Sequence, residues 1–194
     1  MKRFFTILII LTASVCATAQ NIRGSWDLNN KVYKYELFKI SWSLPKEIDW
    51  ERLEATGRNI CFKAMDSETG VLLMLNAKDD QQYGSDVWQH FSYLDSKEYK
   101  DYLISQSEKA GVKIKSVHNT KCLLDGKHAI KTISIVNKYD PAYGGKYDFY
   151  DITYMIFYNN KSYVITMQTW VEVKNAITGF DLVADEIFKG IKIY

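Results

Sequence analysis

No stretch of this chain is long and apolar enough to cross a bilayer, which takes about 20 residues. The one apolar run near that kind, Phe4 to Leu11, is far shorter. Past the first few residues there is no surplus of either charge. The formal net charge of +2 is supplied by Lys2 and Arg3, so no basic excess draws the rest of the chain to nucleic acid or to an anionic membrane. The sequence contains no G-x-S-x-G, no H-E-x-x-H, no G-x-x-x-x-G-K and no G-x-G-x-x-G, and Gly24-Ser25 and Gly84-Ser85 lack the flanking residues of a nucleophile elbow. None of the three cysteines sits in a C-x-x-C. No internal repeat, low-complexity tract or linker interrupts the chain. The sequence therefore predicts no catalytic residue, no cofactor and no metal. Its apolar side chains are expected to be spent on wrapping a sheet, with no polar cluster left over for chemistry.

What is present begins with a leader. Lys2 and Arg3, the short apolar run, and the small-x-small triplet Ala17-Thr18-Ala19 form the tripartite pattern of a secretory signal peptide. Residues 1–19 are read as that leader and residues 20–194 as a single domain of ordinary size. Export to the periplasm or the cell exterior follows, with no membrane span after cleavage. A lipoprotein acylated at Cys16 is the rival reading, but Val15 is bulky where such a site takes a small residue.

The stretch from Lys146 to Val173 organises the domain. Ile152, Tyr154, Ile156 and Tyr158 alternate with Thr153, Met155 and Phe157, and Tyr163, Ile165, Met167 and Val171 repeat the period of two. That period, in β-branched and aromatic residues, predicts two strands, Tyr147–Tyr158 and Ser162–Val173, turned at Asn159-Asn160-Lys161. Large apolar groups on both faces predict a hairpin covered on both sides. Before it, Gln20 to Asn30 reads as a loose lead-in, Val32 to Leu44 as one strand ended by Pro45, and Ile48 to Leu53 as a helical turn or loop. Residues Asn59–Met65 and Val71–Ala77 read as a hairpin. A helix capped by Asp95 runs to Gly111, strands follow on both sides of Asp125-Gly126, and a last helix is capped by Asn175. Ile191 to Tyr194 reads as extended. Runs of strands broken by few helices predict an antiparallel α+β domain.

Few side chains are candidates for function. Tyr139, Tyr143 and Tyr147 surround the Pro141, Gly144 and Gly145 loop, and loop tyrosines make rigid amphipathic contacts with protein or saccharide partners. Asp79, Asp80 and Asp86 share a polar loop from Lys78 to Asp86, without the D-x-D-x-D-G spacing of a calcium loop. Asp148 and Asp151 lie three apart on a strand and so point to opposite faces, which argues against an acid/base dyad. His118 and His128 stand on adjoining strands around the Asp125-Gly126 turn and read as surface or edge-strand histidines, a metal pair facing across the strands being the alternative. Cys61 and Cys122 are an even pair that export would allow to form a disulfide; the alternative is two buried small hydrophobes.

The order of elements resembles the PsbP-like family, which also includes a nuclear-import factor that binds the Ran GTPase. The resemblance rests on Phe38-Lys39-Ile40-Ser41-Trp42-Ser43-Leu44-Pro45, the hairpin and capped helix after it, and the strand led by Gly111. The turn Leu124-Asp125-Gly126, the long central hairpin and the closing helix complete it. It implies an α/β/α sandwich, an antiparallel sheet flanked by helices on both faces, and a non-catalytic binding or assembly domain. Neither photosystem nor GTPase binding is carried over. An NTF2-like cone and a lipocalin-type barrel are the rival folds. A hydrolase using carboxylates of the Lys78–Asp86 or Tyr139–Tyr147 loops, and a carrier of a small apolar ligand, are the rival functions.

Overall fold

Alternating sequence produces strands along most of this chain, and the computed structural model describes residues 23–57, 59–80 and 86–194. In chain order the strands are β1 (Ser25–Asp27), β2 (Val32–Tyr35), β3 (Ile40–Ser43), β4 (Trp50–Arg52), β5 (Ile60–Asp66) and β6 (Leu72–Asp79). After a 3-10 turn at Val87–His90 come the helices α1 (Phe91–Leu94) and α2 (Lys97–Lys109). Then follow β7 (Lys113–Leu124), β8 (Lys127–Asp140), β9 (Gly145–Tyr158), β10 (Lys161–Trp170), α3 (Val171–Ala176), α4 (Phe180–Lys189) and β11 (Ile191–Ile193). The expected leader and Cys16 lie outside the described residues.

Two antiparallel sheets result. The larger runs β4-β5-β6-β10-β9-β8-β7 and the smaller β1-β2-β3-β11. The central hairpin turns at Asn159 and Asn160, both at positive φ (49° and 56°), as a two-residue hairpin loop of this hand requires. Asp125 and Gly126 do the same between β7 and β8, at 51° and 70°.

The two faces of the large sheet are built differently. Ile152, Tyr154 and Ile156 of β9 share a cluster with Leu73, Leu75, Ile165 and Met167, with Tyr33, Ile40 and Trp42 of the small sheet, and with Phe180, Ala184, Ile187 and Phe188 of α4. Trp42 Nε1 donates to the Ile187 carbonyl at 2.9 Å, and the Tyr163 hydroxyl donates to the Phe38 carbonyl at 2.7 Å, so the two sheets are pinned together inside that core. On the other face Phe149, Met155 and Phe157 join Val87, Leu94, Tyr99, Leu103 and Ile130. One face thus carries the small sheet together with α4, and the other carries α2.

Several local expectations are corrected. Trp26 is not in a loose lead-in: it belongs to β1, opposite Tyr33, and packs on Phe62 at 5.3 Å. The single strand expected over Val32–Leu44 is a hairpin, broken by a 3-10 turn at Glu36–Phe38 and by Lys39 in the left-handed region. Trp50 to Arg52 pairs with β5 as an edge strand. The cap of α2 is Ser96, whose Oγ accepts from Tyr99 N at 3.1 Å, while Asp95 pairs with Lys100. The second long strand stops at Trp170, and Gly179 precedes α4 where Asn175 was expected to cap a single helix. Cys61 on β5 and Cys122 on β7 are both free. Four strands stand between theirs, some 24 Å at ~4.8 Å per strand, so the disulfide that export would allow does not form.

Candidate functional site

The inner side chains of a buried sheet face are normally apolar, and in this chain the face toward α2 is interrupted by a polar belt. Strand registers put Asn119, Thr132, Thr153 and Thr166 opposite one another across β7, β8, β9 and β10. The next row along the same face holds Ser134, Asp151 and Gln168. The hydroxyls and amides satisfy each other: Thr132 Oγ1 donates to Asn119 Oδ1 at 2.7 Å, and Thr153 and Thr166 meet at 3.1 Å. Expectation and structure part here, since a polar cluster is left over after the sheet is wrapped.

Asp151 is the charged centre of that belt. Gln168 Nε2 donates to its Oδ1 at 2.7 Å, and the Lys138 ammonium donates to Gln168 Oε1 at 2.7 Å, so the amide relays between ammonium and carboxylate. Burial pushes the Asp151 carboxyl up to about 6, against the pull of Lys138 and of the Gln168 bond. Burial likewise pulls the Lys138 ammonium below its ordinary value, against the field of Asp151 and Asp140. Both groups are shifted toward their neutral forms because the sheet face holds them away from water.

Between the sheet face and α2 lies a hollow of about 50 Å³, lined from the strands by Asn76, Thr132, Ser134, Asp151, Thr153 and Thr166 together with the apolar Met74, Ile114, Val117, Val136 and Val164, and closed by Leu103 of α2 and by Val112. Asn76 is buried, and its Oδ1 has no hydrogen-bond partner among the described residues. At roughly 10–15 Å³ of such space per molecule the hollow has room for a few waters. It is far below the roughly 300 Å³ at which pockets for organic ligands begin, so it has no room for an apolar cargo.

Over the next two rows along the same face the side chains turn aromatic. Trp170 pairs in register with Phe149, and Tyr147 with Lys138. The Tyr147 and Trp170 rings are nearly parallel, 22° apart with centroids at 5.7 Å. Tyr143, from the β8–β9 turn, stands across both, at 76° and 4.6 Å to Trp170 and at 74° and 6.2 Å to Tyr147. The three rings make an L-shaped corner whose outer wall, Tyr143, is 63 % exposed. Lys138 joins corner to belt: its Nζ lies 4.4 Å from the Phe149 ring centroid on the way to Gln168.

The sequence candidates are thereby sorted. Tyr143 and Tyr147 come together, with Trp170 as a third member that the sequence did not single out. Tyr139 is exposed but pairs with Lys146, one position off the Lys138–Tyr147 pair, and so belongs to the opposite face. Asp79 and Asp80 are elsewhere. Asp79 pairs with Lys161 at 3.2 Å and Asp80 with Lys78 at 3.1 Å, and the Asp80 amide donates to the Asn160 carbonyl. They lie at the Asn159-Asn160 end of the sheet, the far end of the 14-residue β9 from the tyrosines, about 45 Å at ~3.3 Å per residue. Residues 81–85 of the acidic loop lie outside the described residues. His118 pairs with Ile133 and His128 with Leu123, so the two histidines do not face each other. His128 instead stacks on Trp88 at 3.6 Å and bonds Asp86 at 3.0 Å. Among the described residues no group of His, Cys, Asp and Glu is placed to hold a metal ion, and no helix is long and apolar enough to cross a membrane.

No family model matches the chain, and no curated protein matches it in sequence. Solved structures do match in shape. The solution structure of cyanobacterial PsbP from Synechocystis sp. PCC 6803 superposes with a TM-score of 0.50 at 10 % identity, covering 94 % of this chain and 99 % of that one. A crystal structure from Bacteroides thetaiotaomicron also gives 0.50 at 10 % identity, over 80 % of this chain; the match spans 45 % of that longer protein. At such identities the likeness speaks for the fold alone. A mostly antiparallel α+β chain, matched over nearly its whole length by a PsbP, has the PsbP-like fold.

Proposed function

We propose that this chain is an exported, non-catalytic binding module that meets its partner through the ring corner of Tyr143, Tyr147 and Trp170. The observation that carries the reading is the exposure of Tyr143 at the edge of two half-buried rings brought in from separate strands. Large rigid rings fixed by the sheet behind them lose little freedom on binding. Export rests on the leader pattern of residues 1–19. A photoreactive phenylalanine analogue placed at position 143 is expected to cross-link a partner in the producing cell. The same group at Leu182, which is 73 % exposed on α4, is expected to capture none. Equal labelling at both positions sinks the reading.

One observation favours a second reading, acid–base catalysis. Asp151 carries a carboxyl held near 6 beside a small buried hollow, as general acids and bases often do. Against it, the described residues place no second carboxylate with Asp151, and its neighbours Gln168 and Lys138 already bond along the row. A panel of ester, glycoside and peptide substrates decides between the two. Turnover by the purified chain that Asp151→Asn abolishes, with the fold intact, establishes the enzyme.

A further inference from the structure

The edges of the two sheets are unequal. Among the described residues three of them, β1, β4 and β11, are strands of three residues each, whereas the fourth, β7, has twelve. β7 pairs with β8 alone, so every second residue along it points its N–H and C=O away from the sheet, with no strand there to receive them. We infer that this edge is a second binding surface, at which an acidic extended peptide adds to the large sheet as a further strand. A groove of about 380 Å³ runs beside it. One wall is Lys97, Lys100, Asp101 and Ile104, a single face of α2. The other is Ile114, Lys115, Ser116 and Val117 of β7, with a bulge between Ile114 and Ser116. Neighbouring strand residues point to opposite faces, so a groove lined by four in a row follows the backbone edge itself. In strand addition the ladder bonds supply affinity and a pocket for alternate side chains supplies choice. The apolar part of this groove, Ile104, Ile114 and Val117, takes aliphatic side chains.

Charge settles the rest of the occupant. β7 carries Lys113, Lys115, His118 and Lys121 and no carboxylate. Lys115 is paired with Asp148, and Lys121 lies over the Trp88 and Phe91 rings, but Lys113 forms no ion pair among the described residues. Lysines and a bulge are how an exposed edge resists pairing with its own kind. A second copy of β7 brings only more cations to these lysines, and no carboxylate to meet them. A strand whose carboxylates fall across from them gains a favourable cross-strand pair at each. The side chains that turn a second copy away therefore admit an acidic strand.

Hydrogen exchange of the purified chain tests this, with and without a peptide of alternating valine and glutamate at about 1 mM. Slower exchange is expected at alternate amides of β7. Two altered peptides separate the causes. One has lysine in place of glutamate, and the other is N-methylated along its length and so has no ladder donors. Each is expected to bind at least about tenfold more weakly. Lys113→Glu, at an exposed position, is expected to weaken the valine–glutamate peptide about fivefold with unchanged near-UV circular dichroism. No protection of β7, or protection given equally by the lysine or the N-methylated peptide, overturns the inference. So does protection confined to the ring corner, which would place the peptide there. Protection of β7 that rises with the concentration of the chain alone assigns the edge to a second copy and overturns it as well.

Discussion

At the scale of single residues, the polar side chains that matter most are those whose partners come from distant parts of the chain. Asp125 sits in the β7–β8 turn, yet it accepts from the Ile193 amide at 2.8 Å and meets Lys192 and Lys127 at 3.1 Å each. It ties the last strand of the small sheet to a turn of the large one. Asp125→Ala strips the Ile193 amide of its acceptor and is expected to cost about 1–3 kcal/mol, read as a lower midpoint in urea with an unchanged slope. Burial raises this carboxyl, but the Ile193, Lys192 and Lys127 bonds outweigh it and leave the pKa lowered in the fold. Its stabilisation is therefore complete above the ordinary carboxylate range and is lost as pH falls through the depressed value. Asp151 has the opposite sign. Its folded pKa of about 6 lies above the ordinary 3.8, so its contribution is complete below pH 3.8 and disappears as pH rises through 6. The stability of the native chain, compared with Asp151→Asn, is expected to fall between pH 4 and pH 7.5 by on the order of 2 kcal/mol. A constant difference between the two melting curves over that range contradicts the assignment.

At the scale of elements, legibility followed periodicity. The central hairpin and the Asp125-Gly126 turn could be read because alternation and turn residues agree, and the structure places both as expected. The Val32–Leu44 segment misled because its aromatic alternation runs through Lys39 without a glycine or asparagine to mark the break. The left-handed conformation at Lys39, φ 51°, is imposed by packing on either side of it and not by its own preference. Lys39→Gly is accordingly expected to stabilise the chain by about 1 kcal/mol, measured by thermal melting. The ion pair that Lys39 makes with Glu36 at 3.7 Å is exposed at both ends and gives little back on removal. The polar belt was missed for another reason. Thr132, Asp151, Thr166 and Gln168 are unremarkable along the sequence; only strand register makes them neighbours. Part of the ring corner was legible, since Tyr143 and Tyr147 flank a turn. Trp170 lies more than twenty residues on and enters only through pairing of β9 with β10.

At the scale of the whole molecule, the large sheet separates two tasks. One face is joined to the small sheet and α4 by a dense apolar core pinned at Trp42 and Tyr163. The other carries the polar belt and the ring corner. Side chains on opposite faces share no partners, and changes at separate, non-contacting sites add to within about 0.5 kcal/mol. This gives a prediction with two readouts. Trp42→Phe removes the indole bond to the Ile187 carbonyl and leaves a void against Phe62 and Phe188, so it is expected to destabilise the chain by about 2–3 kcal/mol while it remains folded. Tyr143→Ala, at an exposed turn position, is expected to change stability by less than about 0.5 kcal/mol. Partner binding at the ring corner should show the reverse: unaffected by Trp42→Phe and weakened by Tyr143→Ala. Asp80→Asn, at the far end of β9, should leave that binding untouched as well, because the ring corner does not reach it. Loss of binding in Trp42→Phe at a temperature where it is fully folded, or a double variant with Tyr143→Ala that departs from additivity by more than about 1 kcal/mol, would show that the two faces act as one unit. The sheet would then transmit between the faces rather than divide them.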